Sequence, residues 1–201
     1  MDDVLAREVL CLWQRDLDTR ARLLAAGRLY EGYSEDMQRV HRENAGALQA
    51  IVSAHGWPGL SLVGPEASRA AWGLAQHAIC TPALQRGFRE ALAAAVAAGE
   101  APAAQLAMLT DRIRFHEGRP QVYGTVLDWG PDGQLDCQVE APASLDERRA
   151  AVGLPPFAES LAAQRRATAA EGGRPPRDPA ARAREAEAWA VRVGWRENPP
   201  S

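Results

Sequence analysis

The chain has 201 residues and a formal net charge of −3, long enough to bury a core in one domain with a tail and too weakly charged to argue for a nucleic-acid or membrane partner. All 23 basic residues are arginine, which excludes catalysis through a lysine Schiff base. No apolar run approaches the roughly 20 residues that span a bilayer, and the Met1-Asp2-Asp3 start leading into an amphipathic helix predicts a bacterial-type cytoplasmic protein without a signal peptide.

Turn and cap residues delimit six helices. The first covers about residues 2–26 and stops at Gly27. Ser34, followed by Glu35 and Asp36, caps a second that ends at Gly56. The third opens at Pro65 behind Gly64 and closes near Cys80. Thr81-Pro82 starts the fourth, which ends at Gly99. The fifth runs from Pro102 to Gly118. The sixth begins at Ser144-Leu145-Asp146-Glu147, with capping-box spacing, and breaks at Gly153. A further turn or two follows over 157–166.

Between the fifth and sixth helices the period changes. Residues 122–127 and 134–139 flank Gly130-Pro131-Asp132-Gly133, a hairpin signature that must pack on helices to be stable. The expected fold is therefore mainly α, a bundle of about six helices with one appended antiparallel β-hairpin. Its domain occupies 1–166, with the hairpin at about 121–140. Residues 167–201 read as an Arg/Pro-rich flexible tail with a short helix after Asp178 that ends at Gly194, before Pro199-Pro200.

Several helices place polar groups on stripes that should be apolar. Asp16 follows Leu5, Val9 and Leu12 on the first. Asn44 interrupts Met37, Val40, Leu48 and Ile51 on the second, and His55 ends that stripe. His77 lies one turn after Gly73 and two after Ala70, whose small size leaves space above the imidazole, while Gln76 faces about 100° away. On the fifth helix Asp111 sits between apolar stripes. One such residue is commonly part of a hydrogen-bond network that fixes helix register. Asp16, Asn44, His77 and Asp111 taken together favour a pocket between helices.

The chemistry available there is acid/base. His77 and His55 are the candidates for proton transfer, Asp111 is placed to orient His77, and Tyr123, Gln121 and Thr125 share one face if 121–125 is a strand. Arg112 offers a planar fork for a carboxylate or phosphate. The expected centre takes His77, Asp111 and Tyr123 as catalytic residues. Gln76, Gln121, Thr125, Arg112, Asn44, Asp16 and His55 bind the substrate, a small molecule and an anionic one in the first instance. A hydrolase, lyase or isomerase without cofactor fits these groups. No nucleotide-binding or zinc-protease motif occurs. Cys11, Cys80 and Cys137 are widely spaced without a CxxC pair, against a disulfide framework or a structural zinc site. Two alternatives stand beside the acid/base enzyme. One is a non-enzymatic binding or immunity-type module; the other is a metal-dependent enzyme using Asp16, His77 and Asp111 with His55 nearby.

The strings Arg42-Glu43-Asn44, His55-Gly56-Trp57-Pro58, Gln76-His77-Ala78, Thr110-Asp111-Arg112, Gly118-Arg119-Pro120-Gln121-Val122-Tyr123-Gly124-Thr125 and Asp146-Glu147-Arg148-Arg149-Ala150 resemble an uncharacterised bacterial domain family frequent in actinobacteria. The likeness covers about residues 5–163 and implies no activity. Two positions depart from it: His41 stands where members often carry an acid, and Val126 where glutamine is frequent.

Overall fold

A computed structural model describes residues 1–28, 32–130 and 132–197. Pro131 of the hairpin turn and Pro199-Pro200 of the tail lie outside the described residues. Contacts divide the chain into two compact units, Met1–Pro102 and Ala103–Ser201.

The first unit is all helical: α1 (Asp3–Ala25), α2 (Glu35–His55), α3 (Leu60–His77) and α4 (Pro82–Ala97). Asp2 caps α1 by accepting the Val4 and Leu5 N–H groups at 3.0 Å, and Ser34 caps α2 through the Met37 N–H. Within α3, Gly64 has φ 78° and breaks the helix, so the regular run starts at Pro65; proline at a first turn forgoes a donor that has no partner anyway. The apolar stripes meet as expected, with Leu5, Val9, Leu23, Val40, Leu48, Ile51, Leu74, Phe88 and Leu92 buried. Burying one such side chain stabilises by about 1.5–3 kcal/mol. Gly73 lets α1 and α3 approach closely: a Cβ there would lie 2.7 Å from the Trp13 ring. The room expected above His77 is therefore taken by Trp13, whose ring centroid sits 5.4 Å from the imidazole.

The string His55-Gly56-Trp57-Pro58 is a helix stop. Gly56 adopts φ 74°, Trp57 and Pro58 turn inward, and His55 is left exposed. Glu100 then anchors the next segment, its carbonyl accepting the Leu60 N–H and its carboxylate the Ser61 N–H.

The second unit contains α5 (Ala103–His116), β1 (Asp128–Trp129), β2 (Leu135–Asp136), α6 (Leu145–Ala151), α7 (Phe157–Ala170) and α8 (Pro179–Val193). The hairpin is antiparallel, pairing Asp128 with Asp136 and Trp129 with Leu135. It is shorter than expected: 122–127 forms a loop and no strand. The cause is visible in the hydrogen bonds. The backbone N–H groups that a ladder would use are taken by side chains, those of Val122, Tyr123 and Thr125 by Asp111 and that of Val126 by Gln121. Helix α7 crosses the position where the tail was expected to begin. Beyond it, Ala190 and Trp195 are buried, with Trp195 stacked on His116 at 5.3 Å.

Candidate functional site

In the first unit α1, α2 and α3 each send one ionisable side chain to a common point. Asp16 has no accessible surface. Both its oxygens lie 3.0 Å from His77 Nδ1, and His41 Nε2 lies 3.2 Å from Oδ2. On the far side of His41, the Tyr33 hydroxyl meets Nδ1 at 2.5 Å, and the Cys80 thiol donates to the Tyr33 oxygen at 3.2 Å. Five residues thus form one connected polar chain.

The protonation pattern follows from burial and partners. Burial alone would raise the Asp16 pKa, but hydrogen bonds from His41 and His77, with the charge on both rings, outweigh it and hold the carboxyl below its ordinary range. An ionised carboxylate only accepts, so the His77 nitrogen facing it carries the proton, and in the neutral ring Nε2 keeps the lone pair. The same logic puts the His41 proton on Nε2 and makes Nδ1 the acceptor from Tyr33. Burial, then the Cys80 contact, pushes the Tyr33 pKa far up, so it stays a phenol and a donor.

His77 is the member that solvent reaches, its side chain a third exposed against 7% for His41 and none for Asp16. It opens onto a pocket of about 200 Å³ shared with Arg20, Leu23, Tyr33, Met37 and His41. Around the cluster Gln85 is fully buried and donates to the Ala75 and Gln76 carbonyls at 2.7 and 3.1 Å, holding the end of α3 that carries His77. Asn44 joins α1 to α2, donating to the Leu12 carbonyl at 3.1 Å and accepting from Arg15. Gln76 is buried.

The carboxylate on His77 is therefore Asp16, where Asp111 was expected. Asp111, also without accessible surface, spends its oxygens inside the second unit. It accepts the N–H groups of Val122 at 2.8 Å, Tyr123 at 3.1 Å and Thr125 at 3.0 Å, and the Thr125 hydroxyl at 2.9 Å. Gln121 completes the loop, accepting from Thr125 and Val126 and donating to the Val126 carbonyl. Two arginines hold the loop carbonyls from the other side. Arg148 donates to Val122, and Arg149, only 2% exposed, to Tyr123, Gly124 and Pro155. The face expected for Gln121, Tyr123 and Thr125 does not form, because the loop coils around the carboxylate. These residues, with Arg148 and Arg149, are one structural clamp.

The other expected residues have separate places. His55 is exposed at the end of α2. Arg112 is desolvated, which lowers its pKa, and lines a hollow of about 570 Å³ in the second unit with Thr125 and Arg149. A hollow of about 610 Å³ beside Gln121, Trp129 and Cys137 is larger still. Size does not identify the site here, since convergent ionisable groups occur at the smaller pocket. His116 packs between Trp189 and Trp195; burial, then the charges of Arg112 and Arg196, pushes its pKa down to about 3. Cys137 is pushed up to about 11, by burial and then by Asp136 and Asp111, so it is a thiol at neutral pH. No helix among the described residues is long and apolar enough to cross a membrane.

Residues 3–171 match a family of unknown function, DUF6624, and the chain belongs to that family. No curated protein and no solved structure matches the chain.

Sequence reasoning missed His41 and Tyr33 as site residues. His41 had a signal: it lies four residues after Met37 and three before Asn44, on the same stripe. It is also one of the two positions at which the chain departs from the strings it resembles. Tyr33 precedes the α2 cap and carries no periodic signature.

Proposed function

We propose that the protein is a small-molecule-binding enzyme that works by acid/base chemistry, with His77 transferring the proton and Asp16 orienting it. The observation that carries this is the contact of both Asp16 oxygens with His77 Nδ1 at 3.0 Å, in a ring that remains a third exposed. Nδ1–H fixed on a buried carboxylate leaves Nε2 as the proton acceptor, the division of labour that makes a histidine a directed base. When Nε2 takes a proton, the imidazolium sits beside an anion already in place, so no solvent has to reorganise around it. His41 is a positioning residue, since it holds Asp16 from α2 and is itself held by Tyr33. Groups of this kind contribute on the order of 10²–10⁴ to a rate.

The pocket of about 200 Å³ is below the usual span of roughly 300–1,000 Å³ for drug-sized ligands, so the ligand has few heavy atoms. Arg20 at its wall favours an anion. Hydrolysis, elimination and isomerisation each need one proton moved at a fixed position and fit the centre.

The test is a turnover screen of small carboxylates and phosphate esters against wild type, His77→Ala and Asp16→Asn. Activity lost in both variants, with helical content and melting temperature retained, supports the proposal. Activity unchanged in His77→Ala overturns it. Thermal shifts with inorganic phosphate and acetate give a second readout, because a ligand bound only by the native state raises its stability.

A further inference from the structure

We propose that Asp16, His41 and His77 also form a binding site for a zinc-class divalent cation. One donor atom from each residue lies within 4.8 Å of the other two, and the nitrogen-to-oxygen gaps are 3.0 and 3.2 Å. Zinc bonded at about 2.0–2.2 Å places tetrahedral neighbours roughly 3.3 Å apart, so each nitrogen already stands at nearly the spacing from the carboxylate oxygen that a cation would impose. Two imidazoles and one carboxylate suit zinc and its transition-metal neighbours, whereas magnesium and calcium prefer oxygen donors.

Two further features favour a cation. The nitrogen of His41 turned away from the cluster is paired with the Tyr33 hydroxyl; once Nε2 binds the cation, Nδ1 carries the proton and the Tyr33 oxygen accepts it, the outer partner that metal-binding histidines characteristically have. The cluster also has an opening. His77 borders the pocket and is a third exposed, which gives an entry path and leaves a fourth position for water or a small anion. Three protein ligands and one open position distinguish reactive zinc sites from closed structural ones.

The cation and the acid/base dyad share side chains but make opposite demands on His77. As a base, the ring carries its proton on Nδ1 and its lone pair on Nε2. As a ligand, Nδ1 must offer the lone pair and the proton moves to Nε2. Zinc is therefore an inhibitor of any chemistry that uses Nε2 as base. The cation site itself does not require that the protein be an enzyme.

The experiment titrates Zn²⁺ into the metal-free full chain, following calorimetry and the ring nitrogens of the four histidines by long-range proton–nitrogen NMR. One equivalent should bind, and only His41 and His77 should shift, with the His77 proton moving from Nδ1 to Nε2 and the His41 proton from Nε2 to Nδ1. His41→Ala, His77→Ala and Asp16→Asn should each weaken binding more than about a hundredfold, and Tyr33→Phe, through the outer hydrogen bond, about tenfold. His55→Ala should bind as wild type, and Mg²⁺ should not compete. The wild-type spectra decide the matter even if a variant fails to fold. Absence of binding at micromolar Zn²⁺, or shifts at His55 or His116 in place of His41 and His77, overturns the cation site. If zinc fails to bind while His77 still carries its proton on Nδ1, the acid/base proposal stands alone. If the metal-free ring carries it on Nε2, that proposal falls and the cation site is unaffected.

Discussion

Asp16 and Asp111 are both carboxylates without accessible surface, each on the inner stripe of a helix, yet their partners differ in kind. Asp111 faces backbone: three N–H groups and the Thr125 hydroxyl of one loop surround it. Asp16 faces titratable rings, and one of them reaches solvent. Backbone donors cannot change protonation near neutral pH, so the partners of Asp111 are fixed and serve to hold a shape. Imidazoles can change it, so Asp16 biases chemistry in its neighbours. Buried charge by itself does not mark a reactive site; the nature of the donors does.

The sharpest test of that contrast is Asp111→Ala. It leaves the loop N–H groups without acceptors, and losing one partner of a buried charged set costs about 3–5 kcal/mol. Chemical denaturation should register that loss, whereas Asp16→Asn, which keeps an oxygen towards His77, should cost clearly less. Arg149→Lys comes next. An ammonium cannot span the Tyr123, Pro155 and Ser160 oxygens that the guanidinium reaches, and a loss of about 2–3 kcal/mol is expected for charged hydrogen bonds of this kind. In the first unit, Gly73→Ala drives a methyl into Trp13. Overpacking there should cost about 2 kcal/mol and shift the His77 ring resonances through Trp13.

Acid should separate the two units by the pH at which each weakens. His116 has its pKa lowered to about 3 from 6.5, so the unfolded chain binds a proton that the folded one refuses between those values. Stability from this group is complete above pH 6.5 and declines as pH falls towards about 3, by at most about 1.4 kcal/mol per pH unit. Asp16 is also lowered, from 3.8, but as a carboxylate its contribution is intact above pH 3.8 and is lost only below it. Near-ultraviolet circular dichroism should therefore show the Trp189–Trp195 environment loosening at higher pH than that of Trp13. A single transition shared by all tryptophans would break the comparison. The smallest effect is His55→Ala, which at an exposed helix end should change stability by less than about 0.5 kcal/mol.

Much of this was legible from periodicity. The helix stops at Gly56 and Gly99, the proline starts at Pro65 and Pro82, and the buried positions of Asp16, Asn44 and Asp111 follow from caps and stripes. Partner choice was not legible. A stripe says that Asp16 and Asp111 point inward but not which helix each one meets, so His77 was matched with the wrong carboxylate. His41 shares its stripe with Met37 and Asn44, but a place on a stripe does not name the side chain it will face. The segment 122–127 has the residue types of a strand. Nothing local to it reveals that its N–H groups are claimed by a carboxylate eleven residues earlier.

That claimed backbone has a consequence for exchange with solvent deuterium. Irregular segments ordinarily exchange fast, because their amides open without breaking a cooperative ladder. Here the amides of Val122, Tyr123 and Thr125 are bound to a buried anion, while Arg148 and Arg149 grip the carbonyls of Val122, Tyr123 and Gly124. Opening any one of them requires releasing a charged partner in the interior. A stretch with neither helix nor strand should thus rank among the slowest-exchanging parts of its unit, slower than the two-residue strands of the hairpin it precedes.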